Sequence, residues 1–468
     1  MEKTFFLCLF LLSSFAFHSD ESSSKWLSYN GISAAKFNES LQKLHRQESL
    51  QSASLSVTVL DAQGKIISNH NGGQSLATAS TMKSITTATA LLVLGENFQF
   101  ETHLGYKGKI INGVLKGNIY IKGGGDPSLG AEDYQKVITA WASKIKAKGI
   151  RKIEGFIVAD AQVFETQLTP NTWVWEDIGN YYGAGASGLN INKNTYHLYF
   201  KPSKAYSKAE VQKTVPKIPN LEFMNEMRTA SPSSGDNGYI YGTPYSYVRY
   251  LRGTIPAKSY AFSIKGAIPD PALFTAQALR ETLIQQNIQV TKRATTMQFL
   301  PQNIFHKQQF QLLEKTKSVL LKELVKQTNH KSINLYAEAI LKMVGYKLKG
   351  KASTKLGTKA VMGFWKNKGI DTNGFFMEDG SGLSRFNAIT SEQMAQMLYA
   401  VSKEKVAVSF KNSLPIVGQS GTVKNTCKYN FAKGRANAKS GFVKRVKGLV
   451  GWLCSNLRKS ATYLCNSC

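Results

Sequence analysis

Ser80-Thr81-Met82-Lys83 puts a hydroxyl and an amine three residues apart. On a helix that spacing places both groups on one face, about one turn apart. A serine hydroxyl is a weak nucleophile at neutral pH, and a neighbouring lysine becomes its base if burial or a second cation lowers the amine's pKa. The same spacing recurs at Ser22, Ser33, Ser40, Ser143 and Ser402, as expected in a chain with 59 basic residues. Ser80 differs from these by opening an apolar stretch, Ser80 to Leu94 (STMKSITTATALLVL), which ends at Gly95 and reads as a helix. The amides at such a helix start can stabilise an oxyanion. Taken alone, Ser80 reads better as a helix cap with Lys83 in solvent.

Two later triplets change that balance. Ser332-Ile333-Asn334, between two helical patterns, offers a hydroxyl for proton relay and an amide to grip a peptide. Lys439-Ser440-Gly441 supplies a second cation beside Lys83, a hydroxyl for a carboxylate, and a glycine that admits a ligand to a strand edge. Singly, Ser332 is a helix-start residue and Lys439 a surface charge. In order, S-x-x-K, S-x-N and K-[ST]-G form the serine acyl-transfer set of penicillin-binding proteins and β-lactamases. Other chemistries lack their residues. No G-x-S-x-G elbow is present, Gly123-Gly124-Gly125-Asp126-Pro127 is not followed by GK[ST], and the seven His and five Cys show no zinc-ligand spacing.

The elements needed to position these groups alternate along the chain. Ile32 to Leu50 reads as an amphipathic helix, and Leu55 to Val59 as a strand that returns through Ile66 and Ile67 after the Asp61-Ala62-Gln63-Gly64 turn. From Phe98 to Phe305 the sequence is Gly-rich, with strand-like Asn118 to Ile121 and Lys152 to Ala159. Helical patterns return after Ser318, including Leu335 to Leu348 and Ser391 to Ser402, and strand-like Val443 to Leu453 follows. This order predicts an α+β domain interrupted by a β-rich insertion.

Composition adds limits. With 42% hydrophobic residues the chain has material for real cores, which excludes a disordered or collagen-like protein. The formal charge of +29 suits an anionic surface or polymer. Nucleic acid is disfavoured, because no nucleic-acid module is recognisable and an export signal is. That signal comprises Lys3, the apolar run Phe5 to Leu12, and small residues Ser14 and Ala16 around a cleavage site. Cys8 lies in this leader, Cys427 stands alone, and Cys454, Cys465 and Cys468 crowd the end.

The motifs and their surrounding text resemble the type-4, low-molecular-mass penicillin-binding proteins, D-alanyl-D-alanine carboxypeptidases and endopeptidases. The resemblance rests on ATASTMKSITTATALL (Ala77 to Leu92), GNIYIKGGGDPSL (Gly117 to Leu129), LVKQTNHKSINLYAEAIL (Leu324 to Leu341), EDGSGLSRFN (Glu378 to Asn387) and GRANAKSG (Gly434 to Gly441). It implies a transpeptidase-like domain, helices around an antiparallel sheet, interrupted by two accessory domains. The expected division is signal peptide 1–16, catalytic part 17–100, insertion 101–311, catalytic part 312–453 and an atypical tail 454–468.

The resemblance further implies Ser80 as the acylated nucleophile, Lys83 as its base, Ser332 as proton relay, Asn334 on the substrate backbone and Lys439 as positive potential. Ser440 would bind the terminal carboxylate beside Gly441, and the amides of Ser80 and Phe442 would form the oxyanion hole. Ser440 stands where many relatives have Thr, and Ile333 where they often have Asp. No metal or cofactor is implied; the partners would be peptidoglycan stem peptides, with β-lactams as inhibitors, in the periplasm. A β-lactamase is the alternative enzyme, disfavoured by the insertion, and an inert peptidoglycan-binding protein is the alternative from another class. Relatives carry one more strand, inserted beside the sheet's first strand. The polar, thiol-rich Cys454 to Cys468 offers only the stub Ala461 to Cys465. The sheet is therefore expected to lack a central strand, through a shifted reading frame or truncation.

Overall fold

The structure, a computed structural model, describes residues 3–12, 34–300, 309–430 and 432–455, with side chains described from 34 to 453 within those ranges. Two compact units are present: the chain up to Phe98 together with the chain from Leu320, and Gln99–Val319.

The first unit is built on a five-stranded antiparallel sheet. Its strands are β1 (Lys3–Leu12), β2 (Leu55–Leu60), β3 (Ile66–His70), β4 (Ala436–Val443) and β5 (Val446–Ser455), in the order β4-β5-β1-β2-β3. Period-two alternation on β2 explains how it is covered on both faces. Leu55, Val57 and Val59 pack with Leu41 of α1 (Ala34–His45), while Ser56 and Thr58 turn to the other face and meet the Ser391 hydroxyl at 2.7 and 2.8 Å, on the helix Ser391–Ser402. The β2–β3 turn is held by Asp61, whose carboxylate accepts from the Gln63 and Lys65 amides, both at 2.9 Å.

The central strand is where the structure departs most from the sequence expectation. The position expected to be open is filled by β1, which pairs with β2 from Phe6↔Leu60 to Leu11↔Leu55 and with β5 from Lys3↔Ser455 to Leu12↔Val446. The run was read as a leader. A continuous apolar run also satisfies a strand covered on both faces, so composition does not separate the two roles. The stub Ala461 to Cys465 lies outside the described residues. Cys427, in contrast, is buried and disulfide-bonded.

The segment read as one strand from Val443 is a hairpin. Val443 pairs with Val446 across the two-residue turn Lys444-Arg445, with Arg445 at φ 69°. Two basic residues carry none of the Gly or Asn signature that marks such turns, so the reversal is invisible to pattern reading. The KSG triplet consequently lies inside β4 and not before a strand. Lys152 to Ala159 likewise divides, into Lys152–Ile153 and Ile157–Asp160. Gly155 sits between them so close to Gly117 that an added Cβ would lie 2.0 Å from the Gly117 carbonyl oxygen.

Helices α2 (Met82–Leu94), α3 (Leu321–Lys331) and α4 (Asn334–Lys349) carry the first two motifs. α2 is buried from Met82 to Leu91 and packs on α4. Thr87 and Thr89 bond within the helix, to the Lys83 carbonyl at 2.6 Å and that of Ile85 at 2.7 Å, so that these two hydroxyls enter the core satisfied. Gly95, at φ 83°, ends it.

The second unit holds three sheets among its described residues. The largest is centred on the hairpin Glu101–Ile111 and Val114–Lys122, and the strand Gln311–Lys317 pairs with its first arm. Helices Tyr134–Ala147 and Pro271–Gln285, capped by Asp133 and Asp270, bury Trp141, Ile145 and Leu279 in its core.

Candidate active site

Ser80 does not open α2 directly. It sits in a single 3-10 turn, Ala79–Thr81, immediately before the helix, and is half-buried. The turn begins with Ala79 at φ 43°, a left-handed conformation that non-glycine residues avoid at a cost of about 1–3 kcal/mol. The Ala79 carbonyl oxygen faces Gly382, where an added Cβ would come within 1.7 Å. Ser332 is also left-handed, at φ 53°, because it is the C-cap of α3 and α4 begins two residues later. Left-handed backbone thus lies immediately before Ser80 and at Ser332.

Lys83 joins the first two motifs. Its ammonium nitrogen, fully buried, donates to Ser80 Oγ at 2.9 Å, Asn334 Oδ1 at 2.6 Å and the Ser381 carbonyl at 2.6 Å. Burial lowers its pKa from 10.5 to about 7, against the opposing pull of Asp379 and Glu338. Lys439 donates to Ser332 Oγ at 3.1 Å and to the Ser440 carbonyl at 2.5 Å. It too is fully buried, and that burial, then the nearby Lys83, pushes its pKa well down. Two cations so placed favour the neutral amine in each other.

β4 closes the site from the sheet. The Val417 amide donates to the Ala436 carbonyl and the Ala438 amide to the Pro415 carbonyl, on the side of β4 away from β5. With period-two alternation, the N–H and C=O groups of Ser440 and Phe442 face that same free edge. The Phe442 side chain is exposed, so only its backbone is directed to the site. Ser440 Oγ donates to Thr422 Oγ1 at 2.8 Å.

Gly441 is required for contact with the nucleophile turn. A Cβ there would meet the Thr78 carbonyl oxygen at 2.7 Å, the Thr81 nitrogen at 2.9 Å and the Ser80 nitrogen at 3.0 Å, all backbone atoms that cannot rotate away. Gly441→Ala should push β4 from the Ser80 turn and slow acylation by a β-lactam by about 10²-fold, the cost of an ångström-scale misplacement. Stopped-flow labelling measures this; an unchanged rate would refute the close approach.

Ser80, Lys83, Ser332, Asn334, Lys439, Ser440 and Gly441 thus converge in one place from α2, the α3–α4 corner and β4. The Asn334 carboxamide oxygen engages Lys83. Ser381, Thr422, Glu338 and Asp379 were not singled out by sequence reasoning. Glu338, Ser381 and Asp379 fall within quoted phrases, and the signal available was a lone Glu among apolar residues in LYAEAIL.

The chain is 29% identical over 396 residues to the D-alanyl-D-alanine carboxypeptidase DacB of Haemophilus influenzae, covering 84% of this chain and 80% of that one. It is 26% identical over 442 residues to the D-alanyl-D-alanine carboxypeptidase of Actinomadura sp. strain R39, covering 91% and 79%. In fold it is similar to the crystal structure of penicillin binding protein 4 (dacB) from H. influenzae, with a TM-score of 0.70, 24% identity, and 86% and 90% of the two chains covered. The profile of the D-Ala-D-Ala carboxypeptidase 3 (S13) family matches residues 37–463, and the chain belongs to that family.

Proposed function

We propose that this serine-type D-Ala-D-Ala carboxypeptidase, a penicillin-binding enzyme, works through an acyl-enzyme on Ser80, with the single unit formed by the chain up to Phe98 and from Leu320 as its catalytic body and Gln99–Val319 as an inserted accessory part. The observation that carries the reading is the buried Lys83 amine, 2.9 Å from Ser80 Oγ, with a pKa near 7.

In this reading Ser80 Oγ attacks the carbonyl carbon of the penultimate D-Ala and its proton passes to neutral Lys83. The backbone amides of Ser80 and Phe442 hold the oxyanion, supported by the outward edge of β4. Breakdown expels the terminal D-Ala, whose nitrogen takes a proton through Ser332 Oγ, which Lys439 Nζ holds by a hydrogen bond. Ser440 binds the terminal carboxylate and Asn334 keeps the substrate backbone and Lys83 in register. Water then hydrolyses the ester.

The substrate on this reading is the stem peptide of peptidoglycan, cleaved as carboxypeptidase or endopeptidase. β-Lactams inhibit by ring opening onto the same serine, giving an ester of the opened lactam that is slowly hydrolysed; the H. influenzae protein has been crystallised in complex with a β-lactam. The test is to incubate the protein with a fluorescent penicillin and locate the adduct by peptide mapping. Label on the peptide carrying Ser80, with D-Ala released from a D-Ala-D-Ala peptide, is the expected result. Rapid turnover of a chromogenic β-lactam would favour a β-lactamase instead.

Export to the periplasm is supported by Lys3, the apolar run and Ser14-Phe15-Ala16. The excess of positive charge, +29, suits residence beside an anionic envelope surface. Among the described residues no helix is long and apolar enough to cross a membrane. Processing after Ala16 would remove β1 and vacate the position between β2 and β5. N-terminal sequencing of protein from the periplasm is expected to begin at Phe17; a start at Met1 would make β1 a permanent strand.

A further inference from the structure

Glu338 is fully buried on α4, one turn beyond Asn334, so both side chains leave the same helix face. Asn334 reaches Lys83 directly. Glu338 reaches it through one stretch of backbone. Its Oε1 accepts from the Ser381 amide at 2.8 Å and the Gly380 amide at 3.1 Å, and its Oε2 lies 3.2 Å from the same Gly380 amide. The two carbonyls of that stretch are then directed at α2: Gly380 C=O accepts from Thr86 Oγ1 at 2.7 Å and Ser381 C=O from Lys83 Nζ at 2.6 Å. Downstream, Asp379 holds the turn that follows, accepting from Gly382 N at 2.7 Å, Ser384 N at 2.6 Å and Asn387 Nδ2 at 2.8 Å.

A surface role for Glu338 is excluded by its burial, and a simple ion pair would not need both backbone amides. A peptide unit presents its donors and acceptors in opposite directions. The Ser381 N–H opposes the Gly380 carbonyl, so Glu338 sets that carbonyl on Thr86, while the Ser381 carbonyl opposes the Gly382 N–H held by Asp379; Glu338 pins the residue from which the Ser381 carbonyl leaves.

We propose that Glu338 is a positioning residue for acyl transfer: it anchors the Gly380-Ser381 backbone so that the Ser381 carbonyl, with Asn334, fixes the Lys83 amine on the Ser80 hydroxyl. Lysine has a flexible four-carbon stem, and three acceptors at 2.6–2.9 Å define where its nitrogen rests. Without the Ser381 carbonyl in place the amine would swing between Ser80 and other acceptors, and the base would be present but misaligned.

This inference rests on the acyl-enzyme reading, and the experiment separates the two. Wild type, Glu338→Gln and Glu338→Ala, each checked for folding by circular dichroism, are compared in kcat and KM on a D-Ala-D-Ala peptide and in the rate of penicillin acylation. Gln keeps one acceptor oxygen and the shape; Ala keeps neither. The expected result is acylation and kcat lowered about 10²-fold in Glu338→Ala, recovery to within about 10-fold of wild type in Glu338→Gln, and KM within about threefold throughout. A residue that only supported the fold would lower the active fraction and leave the rate per labelled site unchanged. Rates per site equal to wild type in the Gln variant and in any folded Ala variant, or a loss confined to KM, would overturn the proposal. Failure of the wild type itself to label on Ser80 would overturn the acyl-enzyme reading instead.

Discussion

Ser80→Ala is expected to abolish covalent labelling by penicillin and to lower kcat/KM on a D-Ala-D-Ala peptide by at least about 10⁴-fold. The reason is chemical: Ser80 Oγ accepts from the buried Lys83 amine at 2.9 Å, the shorter of the two serine–lysine contacts in the site. Ser332 Oγ also contacts a buried amine, that of Lys439, at 3.1 Å. The Ala side chain removes one oxygen and leaves the Ala79–Thr81 turn intact, so stability should change little. The Lys83 ammonium retains its bonds to Asn334 and Ser381 in the variant. Label that persists in Ser80→Ala would move the nucleophile elsewhere, with Ser332 the first place to look.

Lys83→Met should remove activity by about 10²–10⁴-fold, the usual share of a general base, while sparing the fold. Methionine matches the lysine stem in length. Two effects oppose each other in stability. An apolar side chain of similar length removes the burial cost that the charged amine carries. Leaving the Asn334 and Ser381 oxygens without this donor costs about 1–3 kcal/mol each at most. The balance depends on pH, and the sign follows from linkage. The folded-state pKa of about 7 lies below the ordinary 10.5, so between these values the unfolded chain binds a proton that the folded chain does not. Wild-type stability therefore rises with pH across that window through this group, whereas the Met variant lacks the dependence. Relative to wild type, Lys83→Met should be most favourable at and below pH 7 and lose that advantage toward pH 10.5. Denaturant midpoints at pH 6 and pH 9 measure it. In activity, wild-type acylation should rise with pH through about 7 as Lys83 becomes neutral, and the Met variant should lack this limb. A wild-type rate flat from pH 5 to 9 would rule out Lys83 as the titrating base.

Much of this site is legible in the chain because its chemistry needs rigid local spacing. Ser80 and Lys83 must share a helix face, and Ser332 and Asn334 must flank a helix start, so residue types at offsets of three and two carry the signal. The hairpin that places Lys439, Ser440 and Gly441 was less legible, because Lys444-Arg445 turns without the residues that announce a turn. Glu338 was missed for a different reason. Its role is to hold backbone amides, and any sequence supplies those, so nothing at positions 380 and 381 marks the partner.

The sequence by itself determined the three motifs, their order, the α+β class and the interruption by a β-rich segment, since all of these follow from local periodicity and residue chemistry. Only the tertiary structure decided that Lys83 is buried between Ser80, Asn334 and Ser381, that Lys439 answers it across the site, and that the apolar run Lys3–Leu12 stands as the central strand. Burial and long-range pairing are properties of what surrounds a residue, and a pKa near 7 arises from that surrounding and not from the lysine. An apolar decapeptide satisfies a leader and a strand alike, and the sheet that receives it comes from residues more than 400 positions away in β5 as well as from β2.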